Sequence, residues 1–204
     1  MVDILDIGSG NVRSVKNWID KSNVPTRIVT CPDDIKSEML ILPGVGSAAS
    51  YMKRIKSGNF DEAIKAHVDK GCRLMGICLG FQLMMEYSEE GGHVKGLGLI
   101  EGHVERLVGG VSHNSWEPLA FNKQEMKGQS FRCKHQMTKK RLFNGRVFYN
   151  HEYGVVNKNQ HAFSIPVSGM LHGYSGLLIK DNIIGIQFHP EKSQISGEKL
   201  INMI

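Results

Sequence analysis

Leu74-Met75-Gly76-Ile77-Cys78-Leu79-Gly80-Phe81-Gln82-Leu83 is apolar on both sides of a glycine-x-cysteine-x-glycine centre. The first half reads as a buried strand and the second as an apolar helix, with Cys78 at the joint. A nucleophile on such a sharp, strained strand-to-helix turn is exposed at the top of a sheet. Glycines flank it because side chains there would strike neighbouring backbone. The positive end of the following helix faces the sulfur and favours a thiolate. The Leu79 amide is placed to donate to a developing oxyanion. The plainer reading is a buried structural cysteine beside a tight turn.

The residues upstream alternate strand and helix. Residues 2–7 are a short apolar run ended by Gly8-Ser9-Gly10, and 11–21 carry Val12, Val15, Trp18 and Ile19 on one helical face. Short strands are expected at 27–29 and 39–42. Residues 59–70 read as a helix, with Asn59 as cap, Glu62 three residues on, and Gly71 after the end. The next strand, 73–77, runs straight into Cys78. This order predicts an α/β fold with a mainly parallel central sheet flanked by helices on both faces. Downstream, 103–108, 146–150, 162–165, 177–179 and 183–188 read as strands between glycine-rich turns, an antiparallel extension of the sheet. A last helix is expected over 197–203. No repeat, low-complexity tract or linker interrupts the 204 residues, so 1–204 reads as a single domain.

A thiol nucleophile needs a base. Gly185-Ile186-Gln187-Phe188-His189-Pro190-Glu191-Lys192-Ser193 ends a strand at a histidine, where Pro190 breaks the ladder. Glu191 lies two residues on. Its carboxylate can hold one imidazole nitrogen while the other faces the sulfur. A lone histidine at a strand end is usually structural. Beside the elbow, at the carboxyl ends of parallel strands where sites assemble, it reads as catalytic.

Composition excludes several classes. No run of 18 apolar residues exists to span a membrane. The acidic opening Met1-Val2-Asp3-Ile4-Leu5-Asp6 reads as a first strand, not a signal peptide, so a cytoplasmic protein is expected. The four cysteines form no C-x-x-C pair, and no Cys/His cluster has metal-site spacing. Cys72 reads as inert, and Cys31 and Cys133 carry no chemical signal. The net charge of +5 permits an acidic partner without naming one. The densest basic stretch, from Arg132 to Arg146, reads as a solvated or partner-facing surface, since no nucleic-acid motif accompanies it. Gly8-Ser9-Gly10 has Arg13 where a dinucleotide fingerprint needs glycine, and no P-loop lysine occurs, so no cofactor or metal is expected. Asn11 opens a helix and could meet an anion, but a tight turn suffices.

At this point the chain resembles the class I, or triad, glutamine amidotransferases. It carries the elbow with Gln82, followed late in the chain by His189-Pro190-Glu191. Within that family it is similar to the glutaminase subunits of imidazole glycerol phosphate synthases. Asp6-Ile7-Gly8-Ser9-Gly10-Asn11-Val12-Arg13-Ser14-Val15, Leu42-Pro43-Gly44-Val45-Gly46, Gly96-Leu97-Gly98-Leu99-Ile100 and Gln187-Phe188-His189-Pro190-Glu191-Lys192-Ser193-Gln194 carry the likeness in order. The resemblance implies that Cys78 attacks the side-chain amide of L-glutamine, His189 shuttles protons and Glu191 orients it. Leu79, Gly44 and Val45 would form the oxyanion hole, Val45 giving the second amide, while Gln82 and Gly46 would hold the substrate. It further implies a heterodimer in which ammonia passes to a (β/α)8 cyclase, with Lys192, His113 and Trp116 at the interface. The glutaminase would be nearly silent until the partner binds its own substrate.

Two segments depart from that family's pattern. Ser112-His113-Asn114-Ser115-Trp116-Glu117 keeps only the histidine and tryptophan of a proline-histidine-methionine-glycine-tryptophan-asparagine run, and His151-Glu152-Tyr153 has glutamate for serine. Neither touches the triad; both fall where substrate or partner is expected. They leave open a paralogous glutaminase supplying ammonia to a sugar-modifying amidotransferase in surface-glycan synthesis. Two further classes stand beside these: a non-catalytic subunit, which a broken triad would mark, and a cysteine hydrolase acting alone on peptides.

Overall fold

The structure, a computed structural model, describes residues 1–121 and 143–201. Most of the basic stretch at 132–146, Cys133 and the end of the expected last helix, with Met203, lie outside the described residues. The chain opens with β1 (Val2–Leu5), α1 (Val12–Asp20), β2 (Thr26–Val29), β3 (Met39–Gly44), α2 (Ala48–Ser57), α3 (Phe60–Asp69), β4 (Arg73–Cys78) and α4 (Leu79–Gln82). Strands then dominate: β5 (Met85–Ser88), β6 (Val94–Lys95), β7 (Ile100–Arg106), β8 (His113–Phe121), β9 (Phe143–His151), β10 (Tyr153–Asn157), β11 (Phe163–Pro166), β12 (Ser175–Lys180) and β13 (Ile183–Ile186). Helix α5 (Gln194–Ile201) follows.

A seven-stranded sheet runs β11-β12-β13-β4-β3-β1-β2. From β2 to β13 neighbouring strands are parallel, and β12 and β11 add an antiparallel edge. The sheet is therefore mainly parallel with an antiparallel extension, as the alternation of elements predicts. Successive strand residues point to opposite faces. Ile4, Met39, Ile41, Met75 and Ile77 pack on one face with Val12, Val15, Trp18 and Ile19 of α1. Leu5, Leu40, Leu42 and Leu74 pack on the other with Tyr51, Met52 and Ile55 of α2 and Phe60 and Ile64 of α3. Burying one such side chain stabilises by about 1.5–3 kcal/mol, whereas an exposed ion pair such as Lys16–Asp20 contributes about 0–1 kcal/mol. The two apolar faces, not the surface charges, hold the sheet.

Asp3 is fully buried and receives both Nε and Nη2 of Arg27 at 3.0 and 2.9 Å, with the amides of Lys36 and Ser37 at 2.9 Å. Burial alone would raise its carboxyl pKa; these donors outweigh it and hold the pKa below the usual carboxylate range.

Several local expectations fail for physical reasons. Asn59 adopts a left-handed conformation (φ 57°) and makes no side-chain cap, so the expected capping box does not form. The helix after Cys78 is a single turn. The chain then re-extends as β5, held where Leu83 O and Met84 O accept the amides of Leu97 and Leu99 at 2.7 and 2.9 Å. The later strands do not all extend the main sheet. β7 joins β10, β5 and β6 in a four-stranded sheet, β9 pairs with β8 alone, and β13 inserts parallel to β4. α5 starts three residues earlier than expected, at Gln194.

Candidate active site

β4 delivers Cys78 at φ 54° and ψ −114°, a backbone region that side-chain-bearing residues rarely take. The strain is held by close packing of backbone. A Cβ on Gly80 would lie 1.9 Å from Leu42 O, and one on Gly76 would lie 2.7 Å from Gly80 O. Neither position can carry a side chain without moving a strand, so the elbow is a packing requirement. β3 lies alongside, with Gly44 in register opposite Cys78.

His189 follows β13. Its amide donates to Phe148 O at 2.8 Å, and its carbonyl accepts from Ser193 Oγ at 2.7 Å, fixing the backbone. The ring is 3 % exposed, and Nδ1 lies 2.7 Å from Glu191 Oε1, whose side chain is 1 % exposed. A carboxylate only accepts, so Nδ1 carries a proton and Nε2 is left for the sulfur. Burial alone would lower the imidazole pKa; hydrogen bonding and charge from Cys78 and Glu191 overcome this and push it up to about 9. The raised pKa favours the protonated ring beside Cys78. Glu191 Oε1 also accepts from Asn11 Nδ2 at 3.3 Å, while Oε2 finds no partner among the described residues.

The 43–46 segment runs past the elbow. Tyr51 OH donates to Pro43 O and Ser9 Oγ donates to Val45 O at 3.3 Å. Arg54 Nη1 donates to the carbonyls of Ile7 and Gly8, both at 3.2 Å, and so braces the loop that carries Ser9. Beyond Gly44 the segment loosens. Val45 is 39 % exposed, and Gly46, at φ 101°, has nothing within 4 Å of where a Cβ would be. Glu90 Oε2 accepts the Ala48 amide at 2.9 Å and so caps α2 just past it.

Gln82, from α4, is buried beneath the elbow, and its Nε2 donates to Tyr153 O at 2.7 Å and to Gln187 Oε1 at 3.1 Å. Beside the triad, Lys192 Nζ sits 5.8 Å from the Phe148 ring centroid, and Trp116 lies 5.7 Å from the same ring. His113 is not on that face: it is buried, stacked on Tyr149 at 4.7 Å. Cys31 is exposed and Cys72 half-buried; both are free.

Sequence reasoning passed over two residues. Asn11 was legible only as a helix start, yet its side chain makes no cap and turns to Glu191 instead. Gln187 had a signal: it is the one polar side chain in the 183–188 run, and a buried amide must find partners.

Comparison with known proteins agrees with this geometry. The sequence profile of the family described as "Glutamine amidotransferase class-I" matches residues 3–202. The chain belongs to that family and is a glutamine amidotransferase. Its relatives include imidazole glycerol phosphate synthase subunits HisH. That of Caldanaerobacter subterraneus subsp. tengcongensis is 35% identical, across 98% of this chain and 95% of the relative. That of Aquifex aeolicus is 34% identical across 97% and 92%, and subunit HisH 1 of Campylobacter jejuni is 35% identical across 98% and 97%. Among solved structures, a glutamine amidotransferase superposes with a TM-score of 0.75 at 16% identity, covering 99% of this chain and 96% of the other. PurLQS from Thermotoga maritima gives 0.70 at 18%, covering 99% and 94%. These two support the fold alone.

Proposed function

We propose that this chain is the glutaminase subunit of an imidazole glycerol phosphate synthase. It hydrolyses L-glutamine and passes the ammonia to a (β/α)8 cyclase in cytoplasmic histidine biosynthesis, acting as one domain. The observation that carries the chemistry is a strained cysteine beside a buried His189–Glu191 pair. The pathway rests on the relatives, which favour it over surface-glycan synthesis.

Cys78 Sγ attacks the amide carbon of glutamine. The carbonyl oxygen takes the negative charge and is met by the Leu79 amide and, when the strand permits, by that of Val45, with Gly44 lining the hole. His189 Nε2 gives its proton to the departing ammonia, leaving a thioester on Cys78. The now neutral ring takes a proton from water, which attacks the thioester, releasing glutamate and restoring the thiolate–imidazolium pair. Glu191 holds the ring in the tautomer each step needs. Gln82 and Gly46 bind the substrate.

The 43–46 segment supports a gate, since it is tied by Tyr51 and Ser9 yet unpacked at Gly46, where nothing lies within 4 Å of a Cβ position. With one oxyanion donor turned away, hydrolysis falls by roughly 10²–10³. The isolated chain is expected to be slow, rising at least about 10²-fold when the cyclase and its acceptor are bound. Trp116 and Lys192 lie on the partner face. The test is glutamate release with the cyclase of the same source. Wild type should respond and Cys78→Ala should not. No stimulation by that cyclase would overturn the pathway, and wild-type activity in Cys78→Ala would overturn the chemistry.

A further inference from the structure

Gln187 is fully buried, and the triad mechanism gives it no task. Its neighbours determine which way its amide points. The Tyr153 carbonyl can only accept hydrogen bonds. It faces Gln82 Nε2 at 2.7 Å and His151 Nδ1 at 2.8 Å, so both must carry hydrogen. The same Gln82 nitrogen lies 3.1 Å from the Gln187 side chain, which must answer with its oxygen. Nε2 of Gln187 is then left facing Cys78 Sγ at 3.8 Å. One backbone carbonyl thus orients two amides and ends with an N–H aimed at the nucleophile.

The other arm of the chain is equally constrained. His151 is buried 7 % exposed, and burial, with the charges of His113 and His189 nearby, pushes its pKa down to about 4 against the Tyr153 hydrogen bond. It is therefore neutral with hydrogen on Nδ1, and its Nε2 accepts from His113 Nδ1 at 2.9 Å. His113 is held in turn by stacking on Tyr149, ring centroids 4.7 Å apart.

We infer that Gln187 is a further catalytic residue whose Nε2–H donates to the Cys78 thiolate, and that His151 is a positioning residue holding that donor through Tyr153 O and Gln82. The inference rests on Cys78 being the nucleophile. His189 supplies the charged donor facing the sulfur, and Gln187 supplies a neutral one that no proton transfer consumes. When His189 has lost its proton to ammonia, Gln187 remains. It then receives the sulfur as thiolate again when the thioester is hydrolysed.

Iodoacetamide alkylation of Cys78 in the full chain, followed by peptide mass mapping, reads the sulfur directly. Gln187→Met keeps the length and removes both polar atoms. Its alkylation at pH 7 should slow by about fivefold or more, the effect of losing one hydrogen bond to a charged atom. At pH 10, where thiols ionise unaided, it should match or exceed wild type, because a less stabilised thiolate is more nucleophilic. Gln187→Glu, which keeps the oxygen for Gln82 and loses the donor, should also slow at pH 7. His151→Leu should reproduce the pattern more weakly. His151→Asn, whose amide nitrogen can stand where Nδ1 stood, should restore the wild-type rate. Unchanged alkylation at pH 7 in both Gln187 variants would overturn the inference. So would equal slowing of Gln187→Met at both pH values, the mark of mere packing damage. Because alkylation needs no glutamine, these outcomes stand apart from failure of wild type to release glutamate.

Discussion

His189 and Asp3 are both almost wholly buried, and they respond to pH in opposite directions. His189 has a folded pKa raised from 6.5 to about 9 by Cys78 and Glu191 acting against burial. A raised pKa means that its stabilising effect is fully present below about pH 6.5 and fades as pH rises through about 9. The melting-temperature gap between wild type and His189→Gln should therefore narrow from pH 6 to pH 10, as scanning calorimetry would record; a constant gap would count against the ion pair. Asp3 behaves inversely. Its folded pKa is depressed, so its contribution is present above about pH 4 and is lost as pH falls through the lower folded value. Asp3→Ala leaves Arg27 and two amides without their acceptor and should cost roughly 3 kcal/mol near neutrality, with the loss shrinking in acid. Denaturant unfolding at two pH values measures both. The three residues proposed as the triad could be picked out because they sit in short motifs whose chemistry needs adjacency, and the fold places Glu191 against His189. Asn11 and His151 were not legible in their roles. Each acts through a partner distant in sequence, and nothing local to an asparagine or histidine names that partner.

At the scale of elements, the 43–46 strand is the part expected to move. Ser9 and Tyr51 hold it by two carbonyls, one on each side of Gly44. Ser9→Ala removes the tie nearest the exposed Val45. Glutamine hydrolysis by the isolated chain should rise about fivefold, the equivalent of one neutral hydrogen bond of about 1 kcal/mol, while the partner-stimulated rate changes little. A fall in both rates would show that Ser9 builds the hole rather than restraining it. Elements with strong local signals were read well from sequence: α1 from its apolar stripe, and β3 and β4 from continuous apolar runs. Those set by distant pairing were not. The His113–Phe121 strand opens on His113, Asn114 and Ser115, carries Glu117 and Pro118 at its middle, and is held as a strand by pairing with β9. α2 opens on small residues with no side-chain cap from its own sequence; Glu90 caps it from across the fold.

For the whole molecule, the row Lys192–Phe148–Trp116 ties the triad's flank to the β8–β9 hairpin. If Trp116 anchors the proposed cyclase partner, Trp116→Ala should weaken that association by at least about tenfold, as truncating an aromatic anchor typically does, and leave Cys78 alkylation unchanged. Sedimentation or titration calorimetry would decide it, and undiminished binding would move the interface elsewhere. The order of strands has a further consequence, for biosynthesis. β13 is the neighbour of β4, yet the ribosome makes every strand from β5 to β12 in between. A nascent chain that has finished β4 therefore carries a sulfur without its histidine beside an unpaired parallel edge. On the proposed function, Cys78 becomes a paired nucleophile only when the last strand inserts. Until then the emerging polypeptide presents an edge open to aggregation, and on the proposed function synthesis itself would withhold the activity until the sheet is closed.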